Sequence, residues 1–318
     1  MEYKMKLHYE TKLFSDILRT ASQHLDIKLE FVEKDYWISL VLSRLAMSEY
    51  VNECVFKGGT SLSKGYNLID RFSEDVDIAI INDNPKTGNE IKTIIRNTEK
   101  EITQDLTELH IEEITSKGSR FRKSVFQYKS IEKRNQNNKI IVEINSFANP
   151  FPFQRLTLKS FVFDFLKQTN NEKYIKQYNL QPFQVNVLNK EQTMLEKIVS
   201  LIRFSFEENY VDSISKKIRH FYDLFFLIND ADCIEFISSD TFQKRFIDIL
   251  EHDRMMFDEP VGWRNKQLAE SHLILDFEKI WEQLKAKYQT ELSALAFRTI
   301  PDERKVANCF KLLINRIK

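Results

Sequence analysis

Two carboxylates one residue apart, Asp75 and Asp77, alternate with apolar Val76 and Ile78 in the run RFSEDVDIAI. On a strand, residues i and i+2 face the same way, so the two acids project side by side. Carboxylates that close repel each other unless a cation lies between them. Mg2+ suits such a place, because it takes hard oxygen ligands and meets substrate phosphates through one or two carboxylates. Just upstream, FKGGTSLSKGY gathers Gly58, Gly59, Thr60, Ser61, Ser63, Lys64 and Gly65, three of the chain's 6 glycines. A strand, a glycine turn and a helix in that order allow close backbone approach and offer N–H groups and hydroxyls to a phosphate. The turn fits neither GxxxxGK[ST] nor GxGxxG. A phosphate cradle beside metal-binding acids reads as a nucleotide site, with a structural corner and a solvated acidic face as the open alternatives. Glu143, between apolar neighbours in KIIVEINSFA, is the candidate third acid. Asp75 and Asp77 would then bridge two metals and Glu143 hold one, unless it faces solvent at a rim.

The elements that must position these groups follow from periodicity. Residues 9–24 and 31–48 read as amphipathic helices, CVFK (54–57) as a short buried strand, and 61–69 as the helix after the turn. DVDIAII (75–81) is a strand entering a core, NDNPKTG (82–88) a loop, and 88–109 a long polar helix. FRKSVFQYKSI (121–131) and KIIVEINSFA (139–148) are strands joined by the polar KRNQNN, after which FANPFPF interrupts the pattern. From about 190 onward the pattern is helical, as in EQTMLEKIVSLIRFSF (191–206) and SKKIRHFYDLFFLIN (215–229). The expected class is α+β: a mixed-sheet domain with N-terminal helices over 1–188, then an α-helical domain over 189–318.

Lys+Arg and Asp+Glu balance at 47 each in 318 residues, so affinity for a polyanion must come from a local patch. The segment 117–139 is such a patch. It holds Lys117, Arg120, Arg122, Lys123, Lys129, Lys133, Arg134 and Lys139 against Glu132, with Phe121, Phe126 and Tyr128 interleaved. Phosphate contacts and stacking there would suit single-stranded RNA; a solvated hairpin or a docking surface for an acidic protein are the alternatives. Three cysteines far apart make no metal spacing and no disulfide framework. No signal-type apolar core and no membrane-length apolar run is present, so a cytoplasmic protein without a membrane span is expected.

The turn hG-G-[ST], then D-x-D, then a third acid flanked by apolar residues resembles the DNA-polymerase-β-like nucleotidyltransferases. More narrowly, EKDYW (33–37), FKGGTSLSKGY (56–66) and RFSEDVDIAI (71–80) resemble the AbiEii/AbiGii toxin nucleotidyltransferases of bacterial toxin–antitoxin and abortive-infection systems. The resemblance is dense over 30–81, thinner over 139–223, and untraceable beyond about 230. It implies a polymerase-β-like fold, NTP as substrate, a two-Mg2+ site and a cognate antitoxin. It also implies a lysine-bearing helix, LEKIVSLIR (195–203), in which Lys197 reaches the triphosphate with support from Arg203. A second implied helix is KIRHFYDLFFL (217–227), where Arg219 and Asp223 are neighbours on one face. His220 departs from the R-D-x-x-D pattern there.

On this resemblance an acceptor hydroxyl attacks the α-phosphate of an NTP held at Gly58–Ser61, and pyrophosphate leaves. Relatives are understood to act on tRNA acceptor ends, so RNA is the expected acceptor. A protein acceptor and a non-catalytic nucleotide- or partner-binding module remain as rivals. Ser73, two residues before Asp75, is a candidate nucleotide-site contact and a place where phosphorylation would repel the triphosphate.

Overall fold

The computed structural model describes residues 6–73, 75–82, 86–132 and 138–318. The chain divides into two compact units, one running to Tyr66 and resuming over Phe72–Leu188, the other comprising Asn67–Arg71 and Asn189–Lys318.

The first unit is α+β. Its strands are β1 (Cys54–Lys57), β2 (Asp75–Ile80), β3 (Thr107–Leu109), β4 (Ser116–Lys117), β5 (Phe121–Gln127), β6 (Lys139–Asn145), β7 (Phe153–Leu158) and β8 (Phe183–Leu188). Among the described residues they form one mixed sheet in the order β3-β5-β6-β2-β1-β8-β7, with β4 also on β5. β2 lies between β1, antiparallel to it, and β6, parallel to it. Central placement explains the sequence of β2: Val76, Ile78, Ala79 and Ile80 are fully buried, and the acids occupy the remaining half-buried positions at its start.

Helices α1 (Thr11–Leu25), α2 (Leu29–Met47), α3 (Gly58–Lys64), α4 (Gly88–Ile102), α5 (Phe161–Gln168) and α6 (Glu172–Tyr178) complete this unit. α2 is buried nearly all round, and Glu33, Lys34 and Asp35 are buried with Trp37. A helix buried in that way must supply partners for its polar groups. Accordingly Glu33 accepts from Ser130 Oγ and Ile131 N, and Asp35 accepts from Phe161 N.

The structure departs from the sequence reading at several ends. α3 starts at Gly58 itself, so the glycine turn is the helix's first turn. The polar helix α4 stops at Ile102, and the residues read as its last turns form β3. β5 ends at Gln127, opposite Lys139 on β6, short of the 131 expected. β7 and β8 escaped notice: prolines precede the first, and the second leads straight into helical sequence.

The second unit is helical: α7 (Lys190–Phe204), α8 (Tyr210–Ser215), α9 (Ile218–Ile228), α10 (Ala231–Ser238), α11 (Thr241–Met256), α12 (His272–Leu275), α13 (Phe277–Leu295) and α14 (Glu303–Ile317). Phe221 of α9 packs with Trp281 of α13 and Phe310 of α14 at its centre. Residues 67–71 are held to this unit by Phe297 N donating to Asp70 O and by a bridge between Arg71 and Ala296. No helix among the described residues is long and apolar enough to cross a membrane.

Candidate active site

Register builds the site. Asp77 stands opposite Lys57 on β1 and opposite Glu143 on β6, and Glu143 stands opposite Lys123 on β5. The result is a row across four strands, Lys57–Asp77–Glu143–Lys123, with Asp75 two residues along β2 on the same face. Lys123 Nζ lies 3.2 Å from Glu143 Oε2. Burial, together with the Asp75 and Glu143 carboxylates, raises the Asp77 carboxyl to about 8, while Lys57 and Lys123 pull it the other way. A group so placed binds a proton or a cation in preference to standing as a bare anion.

Hard oxygen donors in register, one of them holding a proton near neutrality, fit a divalent cation. Among the described residues no three His, Cys, Asp or Glu side chains are drawn together closely enough to enclose a metal ion. The Glu143 carboxylate is turned to Lys123 instead.

The glycine helix closes directly on the acids. Gly58 has φ +81°, and a Cβ there would lie 2.2 Å from Asp77 Oδ2. Only glycine combines that backbone with that approach. Gly59 follows in the first turn, and Gly65 is also confined, since a Cβ would meet Ser61 O at 2.8 Å. The hydroxyls of Thr60 and Ser61 are engaged within the protein here. Thr60 Oγ1 donates to Asp75 O at 2.5 Å and Ser61 Oγ to Gly58 O at 2.8 Å, and both side chains are buried. Thr60 thus fastens α3 to the strand that carries the acids. Lys64 is likewise committed, to a buried ion pair with Asp35. Ser73 is buried too, at 9% exposure, so it is closed to a modifying enzyme as it stands.

In the helical unit, Asp223 is fully buried and receives two cations. Arg71 forks onto it with Nε–Oδ1 at 2.6 Å and Nη2–Oδ2 at 2.7 Å, and Lys197 Nζ sits 2.7 Å from Oδ2. Burial alone pushes this carboxyl up; Arg71 and Lys197 outweigh it and hold it well below the usual carboxylate range. The Arg219–Asp223 pair expected from helical spacing does not form: Arg219 Nε contacts Glu291 Oε1 at 2.8 Å. Arg203 also turns away, stacking 3.9 Å from the Phe257 ring centroid and meeting Asp253. His220 is held neutral by burial and by the Lys197 and Lys217 charges, in keeping with a packed histidine.

The basic segment loses most of its case as a nucleic-acid platform. Phe126 and Tyr128 are core residues, Tyr128 stacked on Trp37 at 5.4 Å. Lys117 pairs with Glu108, Arg122 with Glu99 and Lys123 with Glu143. Phe121 is half-buried, Arg120 and Lys129 are exposed, and Lys139 is half-buried. Lys133 and Arg134 lie outside the described residues.

The family described as nucleotidyl transferase AbiEii toxin, type IV TA system, matches residues 40–305. Among solved structures, MenT4, a nucleotidyltransferase toxin from Mycobacterium tuberculosis H37Rv, is similar with a TM-score of 0.53 at 15% identity, over 94% of this chain and 97% of that one. JHP933 from Helicobacter pylori is more distant, with a TM-score of 0.41 at 15% identity, over 91% of this chain and 92% of that one. No curated protein matches the chain. The MenT4 likeness extends to the fold, while the family match takes in the glycine helix, the acid strands and the Lys197 and Asp223 helices; this chain belongs to the AbiEii nucleotidyltransferase toxins of type IV toxin–antitoxin systems.

Proposed function

We propose that the protein is a Mg2+-dependent toxin that transfers NMP from an NTP to the 3′ end of an RNA of the tRNA class, in the cytoplasm and under the control of a cognate antitoxin. The observation that carries the transferase reading is the register of Asp77 opposite Glu143 with Asp75 on the same face, closed from one side by Gly58. Asp75, Asp77 and Glu143 would hold the metal, which when bound neutralises phosphate charge and activates the attacking hydroxyl. Gly58 lets the first turn of α3 close on Asp77, and the resemblance places the NTP at this turn. The family resemblance gives Lys197 to the triphosphate, and within the helical unit Asp223 holds that lysine's ammonium in place. The acceptor oxygen forms a bond to the α-phosphorus as the bond to the β-phosphate breaks, and pyrophosphate leaves.

The acceptor class rests on family resemblance and not on segment 117–139, whose aromatics Phe126 and Tyr128 are buried. Transfer to a Ser, Thr or Tyr of a protein is therefore the second reading. The test is incubation with total RNA, cell protein, Mg2+ and each α-³²P-labelled NTP in turn, beside Asp75→Ala/Asp77→Ala. Label in a tRNA-sized band from the intact protein alone supports the first reading, and label in a protein band the second. NTP binding with no transfer to any acceptor would leave a binding module.

A further inference from the structure

Strand parity divides the residues of β5 between two faces. Arg122 and Ser124 both reach Glu99 on α4, with Arg122 Nη2–Glu99 Oε2 at 2.5 Å and Ser124 Oγ–Glu99 Oε1 at 2.6 Å. Lys123, between them, must point to the opposite face, and there it meets Glu143. The cross-strand row places Lys57 at the other end, beside Asp77. Two lysines thus bracket three carboxylates and offset part of their charge.

We propose that Lys123 is the resident counter-cation of this site, a positioning residue that holds the Glu143 carboxylate until a divalent cation takes its place. The inference rests on the transferase reading above and adds to it an internal competitor for the metal. The Lys123 and Glu143 side chains are 33% and 24% exposed, so water and ions reach the pair and exchange is open. A divalent cation between Asp77 and Glu143 would face the ammonium across one carboxylate. Like charges at that range repel, and the flexible four-carbon stem of lysine lets the ammonium move aside. Lys123 therefore lowers the cation affinity of the loaded site while stabilising the empty one.

Those two effects have opposite signs, which separates this role from a merely structural one. The experiment titrates Mn2+ alone into the purified full chain by calorimetry and records melting in chelator. The proteins are wild type, Lys123→Met, Lys123→Gln, Lys123→Arg and Asp77→Asn. Lys123→Met and Lys123→Gln are expected to bind Mn2+ about two- to fivefold more tightly than wild type, the range of a part-exposed ion pair, and to melt lower in chelator. Lys123→Arg keeps the charge and is expected to bind no more tightly than wild type. Unchanged or weaker binding by both neutral variants, with melting showing them folded, overturns the inference. If Asp77→Asn loses Mn2+ binding while the neutral variants match wild type, only the role of Lys123 fails. If Asp77→Asn binds Mn2+ as wild type does, the metal-site reading itself fails, and the inference with it.

Discussion

Replacing Gly58 with alanine tests whether the glycine helix exists to approach Asp77. Two costs are readable. An L-residue at φ +81° incurs about 1–2 kcal/mol. Separately, the new Cβ would sit 2.2 Å from Asp77 Oδ2 and 3.2 Å from its Cγ. Relief requires the carboxylate to move by roughly 1 Å, and overpacking of this kind costs about 1–3 kcal/mol. Gly58→Ala should therefore destabilise the protein by about 2–5 kcal/mol, while transfer falls about a hundredfold, as expected for a reacting group displaced by an ångström. The decisive assay is a double-mutant cycle by urea unfolding with Asp77→Ala. With Asp77 shortened, only its Cβ faces the new methyl, at an ordinary 3.4 Å. The backbone cost then remains and the clash disappears, giving a coupling of about 1–3 kcal/mol between the two substitutions. If the two costs simply add, the glycine is there for its backbone alone, and the close-approach argument is wrong.

Four further outcomes follow from contacts elsewhere in the chain. Asp223→Asn leaves Arg71 and Lys197 buried without a full counter-charge and should cost about 3–5 kcal/mol in urea unfolding at neutral pH. Because folding depresses the Asp223 carboxyl, its contribution is complete above the unfolded value near 4 and drains away as pH falls below it. Melting temperatures from pH 6 down to 2 should accordingly fall less steeply in Asp223→Asn than in wild type. Lys64→Met strands Asp35 in the interior and should cost about 3 kcal/mol or more. NTP affinity of the protein that remains folded should not change, and a loss would return Lys64 to the phosphates. Tyr128→Ala should cost about 3–5 kcal/mol in urea unfolding, as a buried aromatic truncation does, with RNA retention on a filter unchanged. Arg120→Ala/Lys129→Ala, on exposed positions, should leave stability within about 0.5 kcal/mol of wild type.

The sequence was most legible where a short period decides the outcome. Alternation in DVDIAI set the face of Asp75 and Asp77, and CVFK lay where the buried strand is found. Partners were less legible, because they depend on register and on contacts distant along the chain. Arg219 and Asp223 satisfy helical spacing, yet Asp223 belongs to Arg71, 152 residues away, and Arg219 to Glu291. An arginine in the short link before a buried strand was the available signal for Arg71. Charge counting misread segment 117–139 for a related reason. A count adds residues that point to opposite faces, whereas parity along FRKSVFQY separates Arg122, Ser124, Phe126 and Tyr128 from Phe121 and Lys123. That division was present in the sequence, and it would have removed the two aromatics from any stacking surface.

Parity and register together also explain how a sheet interior tolerates three acids. Half-buried carboxylates side by side and in register with a third are costly unless they have partners. β2 cannot shift to relieve the strain, since β1 and β6 pin it on both edges and Thr60 ties it to α3. The sheet responds by placing a lysine at each end of the row. The lysines offset much of the acids' charge in the empty row, and on the proposed reading a metal ion would take over that role. A hydrophobic substitution at either lysine would disturb this balance without touching an acid, so loss of activity after such a change need not mean that the lysine meets the substrate.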